Sequence, residues 1–132
     1  MARASSMATQ PEVIAVVDDD PGLRRALGRL LSAFGYRPEV FGSAEEFLLA
    51  APKSKRACVL VDVNLGDTSG LELVRQLSVS GFRSPVIFIS GVEDETIERR
   101  AIELGCIAFL HKPFPADRLI EAVKKATGSA IQ

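Results

Sequence analysis

Five short apolar segments alternate with helical patterns along the chain, and this alternation restricts the fold more than any other feature. Val13–Val17 and residues 57–61 are apolar throughout and rich in β-branched residues, which is typical of strands buried on both faces of a parallel sheet. Residues 85–89 and 107–110 repeat the pattern, whereas Arg37–Phe41 carries charges and a proline, as edge strands often do. Apolar residues at helical spacing follow each segment. Five such units predict an α/β fold with a doubly wound parallel sheet and helices on both faces.

The number of strands and the residues at their ends predict the architecture within that class. The chain has 132 residues, too few for the eight units of a closed barrel. The second strand ends in Phe41 and Gly42 and offers no reactive group, which suits the edge position of strand two in the flavodoxin-like order 2-1-3-4-5. We therefore predict a five-stranded sheet in this order within one domain at residues 12–127. Residues 1–11 are predicted to form a flexible arm, and residues 128–132 a short tail.

Polar residues mark three predicted helix starts. Asp20 can cap a helix whose first residue is Pro21, where the missing N–H is harmless. Residues 43–46 and 69–72 both begin with serine and end with glutamate, the capping-box pattern. Each of these helices is therefore expected to begin at its polar residue.

Composition excludes several classes of function. The formal net charge is −1 and the lysines and arginines are scattered, so we predict no direct binding of nucleic acid by this chain. No apolar stretch approaches the ~18 residues of a membrane span, and the first ten residues lack the apolar core of a signal peptide. Cys58 and Cys106 each stand alone in an apolar run, as small core residues do. We expect no membrane association and a cytoplasmic location.

Reactive side chains follow four of the five predicted strands. Asp18 and Asp19 come after the first strand, Asp62 after the third, Ser90 after the fourth and Lys112 after the fifth. In a sheet of this kind the carboxyl ends of the strands lie at one edge, where ligands bind. We therefore expect these side chains to meet there.

Three carboxylates at one point need a compensating charge. Two like charges ~4 Å apart repel by about 4 kcal/mol at an effective dielectric constant of 20. A donor set of oxygens without cysteine or histidine favours Mg²⁺ over zinc, and the ammonium of Lys112 would offset further charge. A carboxylate, a hydroxyl, a lysine and Mg²⁺ together predict phosphoryl transfer, which depends mainly on positioning and charge neutralisation.

Five stretches carry a resemblance to a known family. They are Val-Val-Asp-Asp-Asp at 16–20, Leu-Val-Asp at 60–62, Gly-Leu-Glu-Leu at 70–73, Pro-Val-Ile-Phe-Ile-Ser-Gly at 85–91 and Phe-Leu-His-Lys-Pro-Phe at 109–114. In this order and spacing they resemble the receiver domains of response regulators, which have a CheY-like fold, over about residues 12–126. The stretches around strand four and Lys112 look most like receivers of FixJ-type regulators. The resemblance implies a two-component signalling domain that takes a phosphoryl group from a sensor histidine kinase or a phosphotransfer protein.

The resemblance also implies a role for each site residue. Asp62 would be the phosphoacceptor, with Lys112 as the site's lysine. Asp19 would bind Mg²⁺ directly and Asp18 through a metal-bound water, while Asp62 and the backbone carbonyl of Asn64 would complete the protein ligands. The domain would catalyse its own phosphorylation and slow dephosphorylation without being an enzyme in the usual sense.

Further positions of the family concern switching. Ser90 would be the switch hydroxyl that bonds the phosphoryl group, and Phe109 the switch aromatic. Asn64 and Val92 would flank the path of the water that hydrolyses the phosphoaspartate. The face made by helix four, strand five and helix five would mediate homodimerisation or partner binding. The bond between Lys112 and Pro113 is expected to be cis, which only X–Pro bonds adopt at small cost.

The sequence departs from the family pattern after Asp62. The family usually has a Met-Pro pair there, whereas this chain has Asn64, Leu65 and Gly66. Glycine in place of proline predicts a looser loop.

Two other functions would need a sequence different from this one. A haloacid-dehalogenase-like Mg²⁺-dependent phosphatase would need an Asp-x-Asp nucleophile pair after the first strand, and the residue two after Asp62 is Asn64. A degenerate receiver that only binds a partner would have lost an acid or the lysine. The sequence leaves open whether the chain is a complete single-domain regulator or the receiver of a longer transcription factor.

Overall fold

A five-stranded parallel sheet forms the centre of the structure, a computed structural model that describes residues 10–51 and 56–128. The strands are β1 (Val13–Val17), β2 (Arg37–Phe41), β3 (Cys58–Asp62), β4 (Val86–Ser90) and β5 (Ala108–His111). Their order is β2-β1-β3-β4-β5, with every neighbouring pair parallel. This confirms the predicted fold class and strand order. The charged strand β2 lies at one edge, as predicted.

In the described residues, five helices cover the two faces of the sheet. They are α1 (Pro21–Ala33), α2 (Ala44–Ala50), α3 (Gly70–Val79), α4 (Glu95–Glu103) and α5 (Ala116–Thr127). Successive strand residues point to opposite faces, so Ile14 and Val16 pack with α1 and α5, whereas Ala15 and Val17 pack with α2, α3 and α4. An apolar core therefore lies on each face of the sheet.

The helix starts are mostly as predicted. The Asp20 side chain accepts hydrogen bonds from the backbone N–H groups of Gly22 and Leu23. Ser43 Oγ accepts from Glu46 N at 3.1 Å, and the Glu46 carboxylate accepts in turn from Gly42 N at 2.9 Å.

The capping box predicted at residues 69–72 forms only in part. Ser69 Oγ accepts from Leu71 N, but the Glu72 carboxylate turns to Arg75 instead, with 2.6 Å between Glu72 Oε2 and Arg75 Nη2. An arginine one turn along the helix offers this carboxylate two charge-assisted hydrogen bonds, which a single backbone N–H cannot match.

The outer limits of the domain stay predictions. The predicted arm and tail lie almost entirely at residues 1–9 and 129–132, outside the described residues.

The two cysteines lie in the apolar interior, as predicted. Cys58 is buried, and Cys106 is half-buried against the α2–α4 core, the apolar cluster between the sheet and helices α2, α3 and α4. Within the described ranges no helix is both long and apolar enough to span a membrane.

Candidate functional site

Three carboxylates meet at the carboxyl edge of the sheet. Asp18 and Asp19 directly follow β1, and Asp62 is the last residue of the neighbouring strand β3, where Val17 pairs with Val61. One carboxylate oxygen from each aspartate lies within 4.8 Å of the other two. Asp18 and Asp62 are buried, whereas Asp19 is exposed. The expected convergence of these residues is therefore present.

Lys112 directly follows β5, two strands away from β3, and its side chain reaches this cluster. Its Nζ donates to Asp62 Oδ2 at 2.6 Å and lies 3.7 Å from Asp18 Oδ2. Burial opposes the charged form of Lys112, but the hydrogen bond to Asp62 and the charges of both aspartates outweigh it and raise the pKa of the ammonium. The Lys112–Pro113 peptide bond is cis, as predicted. The lysine therefore stays charged beside Asp62.

Asp18 is held in an unfavourable setting for a carboxylate. Its Oδ1 accepts from Asp20 N at 2.9 Å, but its Oδ2 is buried and has no hydrogen-bond partner among the described residues. Burial, reinforced by the negative charge of Asp62, raises the pKa of Asp18 to about 6, against the lowering effects of the Asp20 N–H and Lys112. A buried, unbonded oxygen beside two further carboxylates fits a hard divalent cation. The residues present thus suit Mg²⁺.

The Asp18→Asn variant is expected to be more stable than wild type in EDTA at pH 7.5, by about 1–3 kcal/mol. Because its pKa is raised from 3.8 to about 6 in the folded state, Asp18 contributes stability below about pH 3.8 that is lost as pH rises through about 6. The gain from asparagine should therefore grow between pH 4 and pH 7, as measured by urea unfolding. Added Mg²⁺ should stabilise wild type more than the variant. A gain independent of pH would contradict this account.

Both oxygens of Asp62 are occupied by donors of the chain. Oδ2 binds Lys112, and Oδ1 accepts from the backbone N–H of Asn64 at 2.8 Å. The Asn64 residue is exposed, two residues beyond Asp62. The Asp62 carboxylate is thus fixed in orientation before any ligand binds.

Ser90 ends β4 beside this carboxylate, in the strand next to β3. It is buried, and its hydroxyl bonds its own loop: Oγ donates to Val92 O at 2.9 Å and accepts from Val92 N at 3.1 Å. The Val92 side chain is about half exposed. The serine hydroxyl is therefore engaged with the backbone after β4.

Phe109 and His111 form a pair on the outer strand β5. The Phe109 ring is half-buried against the α2–α4 core, and its centroid lies 5.1 Å from that of His111. His111 Nε2 is 3.5 Å from Glu98 Oε1 on α4. His111 therefore lies between the Phe109 ring and the Glu98 carboxylate at the outer strand of the sheet.

The stretch after Asp62 is more regular than the sequence predicts. Asn64 and Leu65 pair antiparallel with Thr68 and Ser69 in a two-stranded hairpin outside the main sheet. The turn between them requires a left-handed residue, and Gly66 has φ +67°, a conformation that glycine adopts freely. Glycine here serves a tight turn, and the expected looser loop is replaced by a hairpin.

Sequence reasoning missed two residues that shape this site. Arg24 Nη1 donates to the backbone oxygen of Asp18 at 2.8 Å, and it therefore supports the acidic loop from α1. Gly70 begins α3 directly against β3, where a Cβ would overlap the backbone oxygen of Asp62. Gly70 could have been identified from the sequence, because it lies in one of the stretches that resemble the family. For Arg24 the only sequence signal was its position in the first turn of α1.

Comparison with known proteins gives a consistent answer. The response regulator receiver domain profile matches residues 14–124. The chain belongs to this family. It is 36% identical over 126 residues to the response regulator protein TodT of Pseudomonas putida, covering 96% of this chain and 56% of TodT. It is 33% identical over 117 residues to the transcriptional regulatory protein FixJ of Bradyrhizobium diazoefficiens, covering 89% of this chain and 57% of FixJ.

Solved receiver structures agree with the relatives. The crystal structure of FixJ-N superposes with a TM-score of 0.84 at 31% identity, covering 94% of this chain and 99% of that one. A CheY-like receiver from Methanospirillum hungatei JF-1, at 23% identity, has a TM-score of 0.85, covering 91% of this chain and 96% of that one, and so shows the shared fold. The chain spans about half the length of the curated relatives it matches.

Membership of the family defines the kind of protein. The chain is a receiver domain of two-component signalling, a signalling domain whose family accepts phosphoryl groups from kinases. Receivers bind Mg²⁺ at an acidic pocket, and Asp18, Asp19 and Asp62 form such a pocket here. None of these matches supports a dehalogenase-like phosphatase or a binding-only module.

Proposed function

We propose that this receiver acts in the cytoplasm and takes a phosphoryl group onto Asp62 from a sensor histidine kinase or a phosphotransfer protein. The observation that carries the proposal is the position of the Asp62 carboxylate, 2.6 Å from the Lys112 ammonium and with an oxygen within 4.8 Å of one oxygen each of Asp18 and Asp19. Mg²⁺ would be held by Asp19 and Asp62 directly, by Asp18 through a water, and by the backbone carbonyl of Asn64.

The proposed reaction is one displacement at phosphorus. A carboxylate oxygen of Asp62 forms a bond to phosphorus as the P–N bond of the donor phosphohistidine breaks, and the leaving imidazole takes up a proton. Lys112 neutralises charge that develops on the phosphoryl oxygens, and the Asn64 N–H keeps the carboxylate oriented. Bound Mg²⁺ would supply further neutralisation of those oxygens. Water attack on phosphorus reverses the modification and releases the carboxylate and inorganic phosphate, so the domain would catalyse both its own phosphorylation and slow dephosphorylation.

The proposed switch begins at Ser90. Its hydroxyl would leave the two Val92 backbone bonds and donate to a phosphoryl oxygen, an exchange of neutral hydrogen bonds for a charge-assisted one. Phe109 would then turn inward from its position against His111. These movements would alter the surface formed by α4, β5 and α5.

Phosphorylation by a small donor tests the function. Wild-type protein with Mg²⁺ and acetyl phosphate should gain roughly 80 Da, the mass of one phosphoryl group, and EDTA should prevent the gain. Borohydride reduction converts an aspartyl phosphate to homoserine, which peptide mass spectrometry should place at position 62. Homoserine at another aspartate, or an adduct that forms equally in EDTA, would refute the assignment.

The lifetime of the phosphoaspartate is expected to depend on Val92. Asn64 can hydrogen-bond an attacking water because its amide both donates and accepts, whereas the Val92 side chain cannot orient water and would crowd its approach. Val92→Glu should therefore dephosphorylate faster than wild type, by about tenfold if water is held nearer its attack geometry. Decay of phosphorylated protein in Mg²⁺ buffer measures this, with Val92→Leu as the apolar control. Equal decay of the Glu and Leu variants would show that Val92 does not control water access.

The α4–β5–α5 face is proposed to mediate homodimerisation or partner binding after phosphorylation. Exposed charges of both signs lie on it, including Glu95, Arg99, Lys124 and Lys125. Arg99→Glu is expected to weaken association of the beryllofluoride-treated protein in sedimentation velocity by about tenfold, because it places like charges opposite each other in a two-fold interface. Arg83→Glu, away from this face, is the control. Unchanged association of the Arg99 variant would count against the proposed interface.

A further inference from the structure

A groove lies between α1 and the edge strand β2, outside the phosphorylation site. It is open to solvent and has a volume of about 700 Å³. Its floor is formed by Gly28 of α1 and by Pro38 and Val40 of β2, and its rim includes Arg25 and Arg29. Val40 is 48% exposed, which is unusual for an apolar side chain on the helix-covered face of a sheet. An apolar floor is therefore open to solvent beside a basic rim.

The rim carries positive charge without compensation. Arg24, Arg25 and Arg29 line the groove, and no acidic residue is among the described residues that line it. The Arg24 side chain donates to the backbone oxygen of Asp18, but no side-chain hydrogen bond or ion pair of Arg25 or Arg29 is found within residues 10–51 and 56–128. Arg25 and Arg29 are four residues apart on one helix, where like charges destabilise the helix by about 0.2–0.5 kcal/mol.

Gly28 adds a second local cost that packing does not explain. It lies inside α1, where glycine is about 1 kcal/mol less favourable than alanine. A Cβ at this position would meet Pro38 Cγ at 3.9 Å and Val40 Cγ1 at 4.0 Å, which is ordinary contact. The glycine therefore serves no close approach within the domain, and its effect is to keep the floor of the groove open.

We propose that this groove docks an amphipathic acidic segment of a partner protein. Carboxylates of the segment would pair with Arg25 and Arg29, and its apolar side chains would cover Gly28, Pro38 and Val40. A helix fits better than an added strand, because Pro38 has no N–H to offer at the β2 edge. A nucleic acid would satisfy the arginines but would leave the apolar floor uncovered.

A synthetic helix tests the chemistry directly. The probe is a fluorescein-labelled 16-residue peptide with leucines on one helical stripe, glutamates flanking it and alanines elsewhere. Fluorescence anisotropy with the full chain should show binding that falls by about tenfold or more in the Arg25→Glu/Arg29→Glu variant. Gly28→Leu, whose side chain would fill the floor, should weaken binding to a similar extent. A scrambled peptide of the same composition should bind more weakly than the probe.

Matched controls separate this groove from general electrostatics. The Arg83→Glu/Arg118→Glu variant changes the net charge equally at exposed positions elsewhere and should bind the probe like wild type. Phosphorylation by acetyl phosphate should be unchanged in the Arg25→Glu/Arg29→Glu variant, which shows that it folds and keeps this inference independent of the function proposed above. The proposal is overturned if the probe does not bind, binds no better than its scramble or is lost equally in the control variant. It is also overturned if Arg25 and Arg29 instead bind single-stranded DNA or hold two copies of the chain together.

Discussion

Replacing Gly70 with alanine is expected to destabilise the domain by about 3 kcal/mol or more, a large effect for one methyl group. A Cβ at Gly70 would overlap the backbone oxygen of Asp62 and approach Val61 Cγ1 to 2.8 Å. Neither neighbour can retreat easily, because both belong to the buried strand β3. Gly70 N also donates at 2.7 Å to the backbone oxygen of Val63, the residue that follows β3, so moving α3 away would break this bond.

Urea unfolding of both proteins in EDTA measures this prediction. For a domain of this size the loss corresponds to a fall in melting temperature on the order of 10 °C. Gly28→Ala is the matched control, since its Cβ has room, and it should stabilise the domain by about 0.5–1 kcal/mol. If Gly70→Ala lies within 1 kcal/mol (roughly the scatter of ordinary substitutions) of wild type, α3 does not approach β3 as closely as described.

Asp62→Asn is expected to abolish phosphorylation by acetyl phosphate, lowering the rate by more than about 100-fold. The amide has nearly the shape of the carboxylate, but its oxygen is a much weaker nucleophile and it lacks the charge that Lys112 pairs with at 2.6 Å. Removing one of three clustered carboxylates also relieves repulsion with Asp18. The variant should therefore stay folded while losing the modification.

Intact-mass spectrometry after a fixed reaction time gives the result for this variant. Asp67→Asn is the control, because Asp67 is an exposed aspartate in the hairpin that follows Asp62 and should leave the adduct unchanged. Circular dichroism checks that both variants are folded. An undiminished adduct in Asp62→Asn would mean that another residue accepts the phosphoryl group.

Much of the fold was predictable because its signals are local. Strands buried on both faces must be apolar at successive positions, and helices on a sheet must be apolar at every third or fourth one. Val13–Val17 and Arg37–Phe41 accordingly have the bounds that the pattern predicts. The convergence of Asp18, Asp62 and Lys112 was also predictable, since parallel strands bring their carboxyl ends to one edge.

Contacts between distant side chains were not predictable in this way. Arg56 is a buried charge two residues before β3, and its Nε donates to Glu39 Oε1 at 2.9 Å. Its guanidinium also stacks over the rings of Phe41 and Phe47, at 5.6 and 5.1 Å from their centroids. Nothing in the residues next to Arg56 signals these partners. A local pattern carries no information about which remote groups will satisfy a buried charge.

The sequence by itself determined the order of the elements, the residues that end each strand and, through their chemistry, the family of phosphoryl-accepting domains to which the chain belongs. Only the tertiary structure decided that Gly66 turns a hairpin, that the Ser90 hydroxyl bonds Val92 and that Arg24 supports Asp18. The physical reason is that periodicity and residue type act along the chain. Hydrogen bonds, close approaches and open grooves depend on distances between elements that exist only after the sheet and its helices have packed.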